Sequence, residues 1–226
     1  MKGSDHKVIT VDGPAASGKS TVARKLAQGL GFHYINSGAF YRAMALSLAR
    51  GRVPLGEAAA IEQALDRVNV EVRPDDERTI LDGEDVTEAI RTKETSEYAS
   101  KVAAIPAVRN RVNSELRRIA ASADCVIDGR DIGSAVFPNA DFKLYLEASL
   151  EERSRRRLLD YQRAGRAADL AEIQAELAAR DQADSSRALA PLQRPDGATI
   201  VNSTGRTVEQ VVTNLLDMVQ QAFRVN

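Results

Sequence analysis

The sequence of 226 residues has one cysteine, no tryptophan and an aromatic share of only 4%. A lone Cys125 excludes an internal disulfide, so the fold rests on packing and suits a reducing cytoplasm. Cys125 lies in the apolar run CVI and reads as a small core residue. The few Tyr and Phe are too scattered for a platform that stacks single-stranded nucleic acid. Excess charge is missing too: 31 basic residues against 32 acidic ones leave a formal net charge of -1. The chain as a whole therefore has no electrostatic reason to coat nucleic acid or an anionic membrane, and any polyanion must be met locally. No window approaches 18 consecutive apolar residues, and the opening MKGSDHK has no apolar h-region, so neither a membrane span nor a signal peptide is expected. The two histidines, His6 and His33, have no neighbours in sequence that would make a base or a metal site.

What the sequence does have is a phosphate loop. Gly13-Pro14-Ala15-Ala16-Ser17-Gly18-Lys19-Ser20 follows the apolar run VITVD and precedes the helical segment TVARKLAQGLG. The spacing is that of the Walker A pattern, in which backbone N–H groups wrap a nucleotide's phosphates at a helix N-terminus. Lys19 is then expected to reach the β and γ oxygens, and the Ser20 hydroxyl to coordinate Mg²⁺, with Thr21 closing the segment. The context agrees. Lys7 to Val11 reads as a buried strand, Val22, Ala23, Leu26, Ala27 and Leu30 share one helical face, and Gly31 supplies a C-cap.

Along the chain, Phe32–Ile35 reads as a second strand, Asn36-Ser37-Gly38 turns it into a helix over 39–50, and Gly51 stops that helix. After a helical stretch at 57–67, Val68, Val70 and Val72 alternate, a turn-like PDDE follows, and Arg78–Leu81 with a turn at Asp82-Gly83 suggests a small antiparallel meander. This is unusual in an α/β chain and marks about 58–98 as an inserted lobe. Helices follow at 93–104 and from Pro106, the latter burying Val108, Val112, Leu116 and Ile119. Cys125–Asp128, Phe142–Leu146 and Thr199–Asn202 read as strands. Ser149-x-x-Glu152, Asp169-x-x-Glu172 and Thr207-x-x-Gln210 are capping boxes at helix starts, the last helix burying Val208, Val211, Leu215 and Val219. The alternation predicts an α/β fold of the P-loop NTPase kind, three layers (α/β/α) around a five-stranded parallel sheet, with the antiparallel lobe and a helical lid added.

A P-loop specifies a nucleotide, not a reaction. Hydrolases need a group that orients water, often an acidic residue just after the Walker B aspartate, but Gly129 follows Asp128. No N-K-x-D guanine-reading motif is present; the last strand ends in Asn202-Ser203-Thr204. Both absences weigh against switches and motors. Recurrent arginines favour a kinase, since phosphoryl transfer works by positioning and charge stabilisation. Arg42 and Arg130 follow strands at the carboxyl edge of the sheet, where α/β folds bind ligands. The run Arg153-Ser154-Arg155-Arg156-Arg157, taken alone, reads as a solvated face with i,i+4 ion pairs.

GPAASGKST, NSGAFYR, GEDVTEAIR, ASKVAAIPAVRN, IDGRDIGSAVFPNADFKLYL and RDQADSSRALAPL, in that order across nearly the whole chain, resemble the bacterial cytidylate kinases. The resemblance implies a monophosphate kinase with core segments 1–36, 105–152 and 189–226, an acceptor region 37–104 and a lid 153–188. It implies transfer from ATP to CMP or dCMP with Mg²⁺, direct and in line, by an enzyme that works as a monomer. By the same resemblance, Asp131 would accept a hydrogen bond from the cytosine 4-amino group, Arg109 would donate to N3 and O2, and Ser100 would add a polar contact. Ser37, Arg42 and Arg130 match contacts to the CMP phosphate, and Arg180, Asp184 and Arg187 match lid and ribose-facing positions. Lys19, Arg130, Arg180 and Arg187 would carry the charge stabilisation. The chain departs from the family at Asn36, commonly an aspartate, and at Ala183 and Ser185, arginines in some relatives. Another small-molecule P-loop kinase, or an ATP-binding regulator without transfer, remains open at this level.

Overall fold

The computed structural model describes residues 6–73, 78–163 and 165–225, with no side-chain description at 225; the expected PDDE turn lies outside the described residues. Eight strands and eight α-helices are found among them. Contacts divide the chain into two compact units, 8–32 with 126–226 and 1–7 with 33–125. This cuts the chain differently from the three-part division expected above. Pro106–Ala120 goes with the antiparallel sheet, and 153–188 goes with the phosphate loop.

The larger sheet has five strands in the order β2-β6-β1-β7-β8. These are β1 (Val8–Asp12), β2 (His33–Asn36), β6 (Cys125–Gly129), β7 (Phe142–Glu147) and β8 (Thr199–Asn202). Every residue of β1 and β6 is buried, as continuous apolar runs in the middle of a parallel sheet should be. β1 runs parallel to β7 with Asp12 opposite Tyr145, and β7 runs parallel to β8 with Glu147 opposite Asn202.

In the unit that holds the phosphate loop, α1 (Lys19–Leu30) buries Val22, Ala23, Leu26 and Ala27, and ends at Gly31 with φ 73, the left-handed cap that glycine adopts without a Cβ clash. Leu30 is only half-buried. α1 packs on α8 (Val208–Val225), where a Cβ on Gly29 would lie 2.7 Å from Leu216 Cδ2, and Phe32 stacks on Phe223 at 6.3 Å. The cap of α8 is reciprocal: Thr207 N donates to Gln210 Oε1 and Gln210 N donates to Thr207 Oγ1. α6 (Leu150–Arg163) and α7 (Leu170–Ser185) pack on each other. Ser149 accepts from Glu152 N, and Asp169 accepts from Ala171 N and Glu172 N, so these two caps also form.

In the other unit, α2 (Ser37–Arg50) is capped by Asn36, whose side chain accepts from Ala39 N. Gly51 follows at φ -75, so it ends the helix in ordinary right-handed backbone. α3 (Ala58–Leu65) leads to the meander β3 (Val70–Val72), β4 (Thr79–Leu81) and β5 (Glu84–Asp85), a separate antiparallel sheet. Arg50 clamps β5 through a two-pronged pair with Glu84 at 2.7 and 2.9 Å. α4 (Lys93–Val102) packs on α2, and α5 (Pro106–Ala120) buries Val108, Val112 and Leu116, with Ile119 half-buried. No described helix is long and apolar enough to cross a membrane.

Candidate active site

The phosphate loop connects β1 to α1. Gly13 has φ 152, and a Cβ there would stand 2.1 Å from the Leu146 carbonyl oxygen on β7. The loop therefore needs a residue without a side chain at its first position. Gly18 has φ 89, and Ala16 enters the left-handed region at φ 57, a conformation that costs a non-glycine residue on the order of 1 kcal/mol. Lys19 is buried and its ammonium donates to the Pro14 carbonyl at 3.1 Å. Ser20 Oγ donates to Asp128 Oδ2 at 2.6 Å, which joins the loop to the end of β6. Thr21 is exposed.

Charges converge on Lys19. Its pKa is held well below the ordinary lysine range, first by burial and then by the positive charge of Arg130, with Arg180 adding to the effect and Asp128 and Asp184 opposing it. Arg130 Nε donates to Asp184 Oδ2 at 2.9 Å, and Arg187 Nη2 makes an ion-pair contact with Asp184 Oδ1 at 3.3 Å. Burial pushes the Asp184 carboxyl up, but Arg130, Arg187 and Arg180 outweigh it and hold the group below its ordinary value. Arg130, Arg180, Asp184 and Arg187, expected from sequence, thus share one neighbourhood with Lys19. Asp184 is buried, and Arg187 lies beyond the end of α7. Ala183 and Ser185 are exposed.

The arginine run bears out the sequence reading in part: Arg156 makes the expected i,i+4 pair with Glu152 at 2.9 Å. Arg155 pairs with Glu151 on the surface as expected. Arg153 is buried, donates to Ala148 O and to Ala15 O, and pairs with Asp181 at 2.6 Å. Arg156 donates to Ser17 O, Ser203 Oγ and Ser203 O. Two of these guanidiniums therefore tie the carbonyls of the phosphate loop to α6. Ala15 N donates to Asp181 Oδ1 at 3.4 Å, and Ala15 packs on Ile173 and Leu177 of α7. The i,i+4 spacing showed the possible surface pairs but not contacts spanning 138 residues.

Asp131 is buried at the start of a single π-helical turn, Ile132–Val136. Its own carboxylate makes no cap hydrogen bond to that turn. Asp12, at the end of β1, does so instead: Ile132 N donates to Asp12 Oδ1 at 2.8 Å and Gly133 N to Asp12 Oδ2 at 2.7 Å. Asp12 is fully buried, and its pKa is pushed up to about 7 by burial, against the two backbone donors, with Asp131 raising it further and Lys19 lowering it.

The remaining expected residues lie in the second unit. Ser37 is buried at the first position of α2, and Arg42 follows on the same helix with its guanidinium against Gly38, where a Cβ would be 3.0 Å from Nη1. Arg109 is buried on α5, donates to Ala103 O at 3.3 Å and sets its guanidinium 5.9 Å from the Tyr41 ring centre. Ser100 is half-buried on α4, which packs against α2.

Among the described residues no group of three or more His, Cys, Asp or Glu could hold a metal by itself. Mg²⁺ rarely uses an all-protein cage, however; it takes one or two protein oxygens, waters and substrate phosphates. The adjoining oxygens of Ser20 and Asp128 fit that need.

A family model described as cytidylate kinase matches residues 9–221. A cytidylate kinase of Symbiobacterium thermophilum is 44% identical over 95% of this chain and 96% of that one, and one of Caldanaerobacter subterraneus is 42% identical over 94% of each. The crystal structure of an uncharacterized protein from Eubacterium ventriosum superposes with TM-score 0.54 at 13% identity, over 96% of this chain and 99% of that one, a likeness of fold alone. The chain belongs to the cytidylate kinase family.

Proposed function

We propose that the chain transfers the γ-phosphoryl group of ATP to CMP or dCMP, releasing ADP and CDP or dCDP. The observation that carries this reading is the gathering of Lys19, Arg130, Arg180, Asp128 and Asp184 beside a glycine-turned phosphate loop. Burial and the neighbouring guanidiniums hold the Lys19 pKa down, a cost that a bound anion offsets, so the site is matched to phosphate.

Lys19 and the loop amides hold the β and γ phosphates. Arg130, Arg180 and Arg187 spread positive charge over the migrating group, and Asp184 fixes two of those guanidiniums in place. Ser20 and Asp128 would hold Mg²⁺, which supplies charge neutralisation on the phosphate oxygens when bound. Ser37 and Arg42 take the acceptor phosphate, and Asp131, Arg109 and Ser100 read cytosine. A carboxylate at Asp131 accepts from the cytosine amino group, whereas uracil offers an acceptor there and leaves both oxygens unpaired. Arg153 and Arg156 hold the phosphate loop in its wrapped form through Ala15 O and Ser17 O. Attack is direct, with no covalent intermediate and no histidine, and lid closure excludes water. Asn36 serves as a helix cap, which leaves Ser20 and Asp128 as the side chains that would hold Mg²⁺ together with water and phosphate. The enzyme acts as a cytoplasmic monomer on nucleotides, without nucleic-acid or membrane partners.

The test is direct: CMP incubated with ATP and Mg²⁺, with nucleotides separated by ion exchange, yields CDP and ADP in equal amounts. ADP without CDP would contradict the assignment.

A further inference from the structure

The carboxylate of Asp12 is buried in the sheet, one residue before the phosphate loop, with a hydrogen bond to each oxygen from two successive amides, Ile132 N at 2.8 Å and Gly133 N at 2.7 Å. Those amides open the π-turn that carries Asp131 at its head. The first N–H groups of any helical turn need an acceptor, and the residue ahead of the turn usually supplies it. Here Asp131 does not, and a strand residue more than a hundred positions earlier does.

The fit is close. A Cβ on Gly133 would stand 2.7 Å from Thr10 Oγ1, 3.1 Å from Pro195 Cγ and 3.2 Å from Asp12 Oδ2. Thr10 and Asp12 lie two apart on β1 and so share one face of the strand. The turn is therefore pressed onto β1 at the point where β1 becomes the phosphate loop.

We propose that Asp12 is a positioning residue for acceptor recognition: by capping Ile132 and Gly133 from β1, it fixes Arg130 and Asp131 in register with the phosphate loop. This deepens the cytidylate reading above and rests on it. Only a carboxylate suits the place. Asparagine has the same shape but one acceptor oxygen, and its NH₂ would face a backbone N–H. Glutamate keeps both acceptors but carries them one methylene too far for a packed turn. The two amides favour the ionised carboxylate, against the burial that favours the protonated acid.

The test compares wild type with Asp12→Asn in steady-state kinetics, varying CMP, UMP and ATP separately. Loss of one hydrogen bond to a charged group corresponds to about a 10- to 100-fold effect. The expected result is a rise of that size in KM for CMP with a smaller CMP-over-UMP preference, while KM for ATP stays within about threefold of wild type, the range left to an interaction that ATP does not use. A CMP KM that does not change, or CMP and ATP affinities that fall together with the folded fraction, would overturn the proposal. If Asp12→Asn does not fold, Gly133→Ala disturbs the same clasp from the other side and must reproduce the CMP-selective loss; equal losses for both substrates overturn it. A wild type that uses UMP as readily as CMP would contradict the acceptor reading instead. The clasp is then read by hydrogen exchange at Ile132 and Gly133, protected in wild type and faster by about tenfold or more in Asp12→Asn if one bond is lost; unchanged exchange would overturn it.

Discussion

Arg130 Nε donates to Asp184 Oδ2 across 2.9 Å, joining the loop after β6 to the end of α7, with both side chains largely buried. Arg187 contacts the other oxygen of the same carboxylate. One aspartate thus aims two guanidiniums. Asp184→Ala leaves two positive charges close together in a half-dry site, and removing one partner of a buried ion pair costs about 3–5 kcal/mol. We expect a clear fall in the urea midpoint and a kcat lowered by at least about tenfold, since misplacing such groups slows transfer. Equilibrium unfolding together with CDP formation checks both parts.

Ser20 Oγ and Asp128 Oδ2 lie 2.6 Å apart. If Ser20 holds Mg²⁺ as proposed, Ser20→Ala should shift the Mg²⁺ activation curve upward by about tenfold, with little change in the CMP dependence. A Mg²⁺ titration at saturating ATP measures this.

Arg156 holds Ser17 O and Ser203 O. Arg156→Ala loosens the phosphate loop, so KM for ATP should rise by about tenfold, the value of a charge-assisted hydrogen bond. KM for CMP should hold. Initial rates with each substrate varied in turn separate the two.

Asp12 has its pKa raised from 3.8 to about 7, above its unfolded value, by burial. Between those values the unfolded chain has lost the proton that the native chain keeps. Stability from this group is therefore complete below about pH 4 and is lost as pH rises through about 7. The stability of wild type minus that of Asp12→Asn should fall across that window by up to about 1.4 kcal/mol per pH unit. Paired urea denaturation series at pH 4 to 8 test the sign; a difference that rises with pH would contradict it.

Local pattern made much of this architecture legible. Glycines at 13 and 18, a lysine and a serine at fixed spacing, alternating valines at 68, 70 and 72, and three capping boxes each act within a few residues. The antiparallel lobe, the five-stranded sheet and the caps of α6, α7 and α8 are where the spacing put them. What the sequence hid acts at long range. Arg156 keeps its expected pair with Glu152, but the further partners of Arg153 and Arg156, Ala15 O and Ser17 O, are backbone atoms 138 and 139 residues away. Asp12 looked like the end of an apolar strand, and nothing local marks it as the cap of a turn at 132. The π-turn itself has no hydrophobic period to betray it in five residues.

The most direct test of the account is acceptor-dependent ADP release with ATP and Mg²⁺, comparing CMP, dCMP, UMP and no acceptor for wild type and Asp131→Ala. The account predicts turnover with CMP and dCMP, little with UMP, and almost none without acceptor, with the preference for CMP over UMP lost in Asp131→Ala. Equal ADP release without acceptor, or a CMP preference that survives in Asp131→Ala, would contradict it.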